Sequence, residues 1–151
     1  MSMEDGAPGS GPAPVTEGPF KGWMTWSRGA DPFETVLGPF CFKEENGRVR
    51  SAFEPRREHL NGGGHVHGGA LMSFADFSLF SIAHKVLDEG VRAVTLSCNC
   101  EFISAGTLDG WIESEGEVLR AGRAVIFVRG LISQRGRAVL AFSGALKKIG
   151  A

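Results

Sequence analysis

The 151-residue sequence has no excess of either charge, few cysteines and no long apolar run. A formal net charge of -1 excludes the basic surplus that nucleic-acid phosphates call for, so any cationic cluster is local and serves a small anion. No window approaches the roughly 20 apolar residues needed to span a bilayer. The N-terminal stretch lacks the basic start and apolar run of a secretory signal, and Gly, Pro and acidic residues dominate it instead. Cys41, Cys98 and Cys100 are an odd set, and the last two stand too close for an ordinary disulfide framework. These absences predict a reduced, cytoplasmic protein with no nucleic-acid partner and no membrane partner.

What is present is ordinary for a globular chain: 42% hydrophobic and 22% charged residues, in a length that fits one domain with a real core. Residues 1–18 hold almost nothing to bury and predict a flexible tail, leaving 19–151 as a single domain. Phe20, Trp23 and Met24 at helical spacing predict a short amphipathic helix. Gly38-Pro39 punctuates 33–42 as a loop before a strand. Segments 41–43 and 48–53 flank Glu45-Asn46-Gly47, a tight-turn signal for a β-hairpin. Over 67–87 apolar residues lie nearly all round, the pattern of a buried helix, with Gly90 as its stop.

Four strands follow at 94–103, 108–120, 124–133 and 138–147, separated by Gly106, Ala121-Gly122 and Arg135-Gly136. In the first, strict alternation puts Val94, Leu96, Cys98, Cys100 and Phe102 on one face and Thr95, Ser97, Asn99 and Glu101 on the other. Two strands, one long apolar helix and four more strands predict an α+β domain, its antiparallel sheet curved around one central helix.

Two features carry chemistry. His67-Gly68-Gly69 ends a glycine-rich approach to the helix, whose first amides have no internal partner and sit at the positive end of its dipole. Glycine there admits close approach to the backbone, so the site suits the negative charge that develops on a carbonyl under attack. The same glycines also fit a loop that merely turns into a helix. Asp76 is the second feature, a carboxylate in an apolar helix. An ion buried among Phe74, Ala75, Phe77 and Leu79 needs either a structural arginine as partner or a role as nucleophile or general base.

Together these features resemble the PaaI-type hotdog thioesterases, which include the mammalian thioesterase superfamily member 2 enzymes. The motif is Asn61-x5-His67-Gly68-Gly69-x6-Asp76, followed by a strand with Val94-Thr95, and the likeness runs over 33–147. The resemblance implies the hotdog fold and hydrolysis of an acyl-CoA thioester to free coenzyme A and a carboxylic acid, with no cofactor. It implies Asp76 as the catalytic carboxylate and Gly68 as the amide that polarises the thioester carbonyl. Asn61 assists there with His67 beside it, and Thr95 helps position the attacking water. For substrate and coenzyme A binding it implies Gly69, Ser104, Arg120, Gly122, Arg123 and Lys147. Ala105 stands where the family carries proline.

Helix geometry adds an independent expectation. Gly68 and Asp76 are eight positions apart, roughly 12 Å along a helix at about 1.5 Å per residue, so both cannot touch one carbonyl carbon within one straight helix. Two subunits with antiparallel central helices would bring Gly68 of one to Asp76 of the other, which predicts a homodimer with two shared sites; the resemblance extends this to a dimer of dimers. His65-x-His67 and Cys98-x-Cys100 lack a standard zinc spacing, and no metal is expected. The rival readings are a hotdog enoyl-CoA hydratase or dehydratase using His67, and a module that binds acyl-CoA without turnover. Phe74, Phe77 and Phe80 suit an aromatic ring or an aliphatic acyl chain, or simply fill core.

Overall fold

A computed structural model of the chain describes residues 11–27, 30–88 and 90–150. Its long helix α2, Gly68–Ala83, supplies Leu71, Phe74, Ala75, Phe77, Leu79 and Ile82 to the core. So wide an apolar surface needs cover on several sides. An antiparallel sheet curves around it, built from β1 (Ala13–Pro14), β2 (Met24–Thr25), β3 (Cys41–Glu45), β4 (Arg48–Phe53), β5 (Arg92–Phe102), β6 (Ile112–Ala121), β7 (Val125–Gln134) and β8 (Arg137–Ile149). Their spatial order is β1-β2-β3-β4-β6-β7-β8-β5. This is the hotdog arrangement, and it leaves β5 as an outermost strand bonded on one side only, to β8.

The hairpins follow from their turn residues. Asn46 and Gly47 join β3 to β4 with φ of 53° and 77°, and Arg135 and Gly136 join β7 to β8 with φ of 51° and 75°. Two successive left-handed residues give the turn whose twist matches the flanking strands. Inside, two buried serines of α2 are bonded to serines of the sheet: Ser78 to Ser114 and Ser81 to Ser51, each at 2.7 Å. These pairs satisfy polar groups at full burial and fix the helix against β6 and β4.

Several expectations are corrected. Residues 1–10 of the expected tail lie outside the described residues, but Ala13–Pro14 already pairs with Met24–Thr25 and Val15 is buried. The helix expected at Phe20, Trp23 and Met24 is a turn closed by Val15 N–H to the Trp23 carbonyl at 2.7 Å. Phe20 and Trp23 pack with Val15, Cys41, Ala52 and Trp111 in a second small core. Cys41 and Ala52 point away from α2, so this cluster covers the back of the sheet. The loop expected over 33–42 contains a six-residue helix, α1 (Pro32–Leu37). Its N-cap Asp31 accepts from Glu34 N–H at 3.0 Å and Pro32 opens its first turn. The expected start of the second late strand at 108 is instead a loop, in which the buried Gln134 side chain bonds the Thr107 N–H and the Thr107 and Gly110 carbonyls.

Helix and sheet approach closely at Gly144 of β8. A Cβ there would meet the Ser97 carbonyl oxygen and lie 2.6 Å from Leu79 Cδ1. The carbonyl cannot yield as a side-chain tip could. Gly144→Ala is expected to cost about 2–3 kcal/mol through overpacking, read as a lower urea midpoint with an unchanged slope.

Candidate active site

The sheet leaves one stripe of α2 uncovered. Met72, Ser73, Asp76 and Phe80 recur at helical spacing and are exposed or half-buried, whereas the residues between them are buried. Asp76 is therefore not enclosed by Phe74, Ala75, Phe77 and Leu79 as their sequence proximity suggested. It opens into a cleft of about 350 Å³ lined by Asp31, Phe33, Glu34, Met72, Ser73, Asp76 and Cys98. Phe74 and Phe77 are fully buried core residues, and apolar contact in the cleft comes from Phe33 and Met72.

Thr95 donates to Asp76 Oδ1 at 2.6 Å. Strict alternation would have turned Thr95 away from the helix-facing Cys98 and Cys100. The register on β8 instead runs Thr95 to Leu146 and then Ser97 to Ala145, leaving Leu96 as a bulge. One extra residue inverts the alternation, so Thr95 shares the inner face with Cys98 and Cys100. Leu96 and Val94 are 55% and 41% exposed. Burial pushes the Asp76 carboxyl above its ordinary range, the Thr95 hydrogen bond opposes this, and the Asp31 charge adds to it.

The start of α2 is built from the motif. His67 caps the helix, its Nδ1 accepting from Gly69 N–H at 2.7 Å, so its proton sits on Nε2. The Ala70 and Leu71 amides bond the His67 carbonyl. Among the described residues the Gly68 N–H meets no acceptor, and it is the one amide of this turn left to a ligand. The Phe102 ring closes one side, 3.2 Å from where a Gly68 Cβ would stand. Gly68 thus lies at the Phe102 end of β5 and Asp76 at the Thr95 end. Within one chain the two residues stand at opposite ends of that strand.

The remaining predicted residues divide by position. The Asn61 Oδ1 accepts from Gly63 N–H at 2.8 Å and His65 N–H at 3.2 Å within its own loop. Lys147 pairs with Val94 and Val125, and the turn carrying Arg120, Gly122 and Arg123 closes with Gly122 N–H to the Val125 carbonyl. These cations therefore gather at the Thr95 end of the sheet. Ser104 stands beyond the other end of β5, its hydroxyl donating to the Ala138 carbonyl at 2.5 Å. The Cys98 and Cys100 sulfurs are 3.9 Å apart as free thiols, and burial pushes the Cys98 thiol up to about 12.

Residues 63–141 match the model of the thioesterase superfamily, more than half of the chain. The chain belongs to the thioesterase superfamily. As a member it is a thioester hydrolase. It is 26% identical over 116 residues to a provisionally named esterase of Pseudomonas aeruginosa, covering 76% of this chain and 87% of that one. The phenylacetic acid degradation protein PaaI of Thermus thermophilus, solved as an Asn-to-Asp variant, superposes with a TM-score of 0.67 at 26% identity over 79% of this chain and all of that one (100%). A Streptococcus pneumoniae protein described as a hypothetical thioesterase, solved with coenzyme A, gives 0.66 at 25% identity over 79% of this chain and 94% of that one. No helix among the described residues is long and apolar enough to cross a membrane.

Sequence reasoning missed Glu34 in the cleft beside Asp76. It rides on a helix too short to show periodicity, and only Asp31-Pro32 marked that helix. For Asp76 the hydrogen bond gives a direct test. Thr95→Val removes a donor that favours the ionised carboxyl, so the Asp76 titration midpoint is expected to move up, read from its side-chain carboxyl carbon by NMR.

Proposed function

We propose that this thioesterase hydrolyses acyl-CoA thioesters, releasing coenzyme A and a carboxylic acid, at two sites shared across a homodimer. The observation that carries this reading is the Thr95–Asp76 pair in an open cleft, with the uncommitted Gly68 amide on the same helix. The thioester carbonyl docks on the Gly68 amide at the positive end of α2, which stabilises the oxyanion. Asp76 of the other subunit attacks the carbonyl or takes a proton from water, and Thr95 steadies the carboxylate. Phe33 and Met72 line the cleft beside Asp76 and favour an apolar acyl group there. Arg120, Arg123 and Lys147, gathered at the Thr95 end of the sheet, supply cations for the coenzyme A phosphates.

The dimer is supported by the free edge of β5. Its exposed Val94 and Leu96, with Phe102 at 55% exposure, make an apolar border that water covers poorly. Antiparallel pairing of two such edges about Cys98 sets Thr95 of one strand across from the Glu101–Phe102 end of the other. That end carries Gly68. The same pairing brings Ser104 of one subunit to the cationic end of its neighbour. A tetramer built from two dimers extends the same reading.

The test is thiol release from a panel of phenylacetyl, benzoyl, hydroxybenzoyl and straight-chain acyl-CoAs. Asp76→Asn is expected to reduce kcat on the order of 10²-fold or more, the usual range for loss of a general base. Hydrolysis undiminished in Asp76→Asn contradicts the proposal. No release by wild-type protein favours the hydratase or the binding module.

A further inference from the structure

The cleft holds a second carboxyl that this chemistry leaves unused. Glu34 of α1 lines it together with Asp76. The Glu34 Oε2 is buried without a hydrogen-bond partner among the described residues, with Ser27 alone nearby to favour the ionised form. A buried carboxylate oxygen with no donor is costly, and a neutral acid bears the same position at far less cost. The other titratable groups of the cleft are Asp31 at the head of the same helix, Asp76 from α2 and the Cys98 thiol from β5. Arg56 and His59 grip the far end of α1 through the Val36, Gly38 and Leu37 carbonyls and do not line the cleft. Among the described residues no cation lines the cleft to compensate a charge on Glu34.

We propose that Glu34 is a positioning residue of the hydrolytic site, acting as a neutral carboxylic acid beside Asp76, and that its ionisation turns the site off. This rests on the acyl-CoA hydrolysis proposed above. With Asp76 as base, the water oxygen bonds the acyl carbon and its proton passes to Asp76. The carbon–sulfur bond then breaks and the departing thiolate takes that proton. Glu34 keeps its own proton throughout.

Burial first, then the Asp31 and Asp76 charges, push Glu34 up to about 8. Asp76 takes the negative charge before it, since Thr95 stabilises its ionised form. Below Glu34's midpoint the cleft therefore carries a neutral Glu34 beside a charged Asp76. Above it a second negative charge opposes the one developing on the attacked carbonyl. Glu34 thus sets the alkaline limit of the active range, as Asp76 sets the acid limit.

The experiment compares pH profiles of kcat for wild type and Glu34→Gln on the best acyl-CoA of the panel, with spontaneous hydrolysis subtracted. Wild-type kcat is expected to fall about tenfold between pH ~7 and pH ~9, as one ionisation near 8 requires. Glu34→Gln is expected to lose that limb while KM moves little. An unchanged limb in Glu34→Gln overturns the inference and leaves the hydrolytic reading intact, whereas no thiol release by wild type removes both. Carboxyl-carbon NMR of wild type and Asp76→Asn keeps the test open should Glu34→Gln fail to fold. A glutamate carbon titrating near 8 that moves down in Asp76→Asn is the expected result. No carboxyl titrating between pH ~7 and pH ~9 overturns the proposal.

Discussion

Helix α2 carries more apolar surface than a flat layer could cover, and the sheet answers by curving around it from β4 to β8. The serine pairs Ser78–Ser114 and Ser81–Ser51 fix the depth and rotation of the helix in that channel. Rotation is the quantity that matters for chemistry. It decides which stripe stays outside, and that stripe carries Met72, Ser73 and Asp76. A carboxyl on it is desolvated enough to be perturbed and open enough to meet a ligand, the combination that makes a perturbed group a site candidate.

The bulge at Leu96 is the second constraint. Without it Thr95 would face away from α2, and Asp76 would have no donor from β5. With it, the strand holds the carboxylate at one end and closes on Gly68 at the other through Phe102. The distance between the two ends is set by the helix itself and does not shrink within one chain. In the proposed dimer, catalysis and assembly are therefore one question, posed at the free edge of β5.

Much of this was legible in the sequence for stated reasons. The long apolar helix, the Asn46-Gly47 hairpin and the four late strands follow from period and turn chemistry, and each stands in the structure. The His67-Gly68-Gly69 motif and Asp76 were legible because glycine at a helix start and an acid in an apolar helix are both locally unfavourable choices. What escaped were effects with no period. A six-residue helix shows less than two turns, so α1 and its Glu34 read as loop. A single bulge reverses a face without altering composition, so alternation alone puts Thr95 on the wrong side. Asn61 has the expected spacing, and its oxygen accepts from two amides of its own loop.

Subunit mixing tests the central claim most directly. Proline is tolerated at the first position of a helix and carries no N–H, so Gly68→Pro removes the amide and spares α2. Gly68→Pro and Asp76→Asn proteins, each inactive alone, are unfolded together and refolded at equal concentrations. Shared sites predict that thiol release returns to about one quarter of wild type, because half the dimers are hybrids and each hybrid rebuilds one of two sites. A mixture as inactive as its components would contradict the account, placing both halves of the chemistry within one subunit.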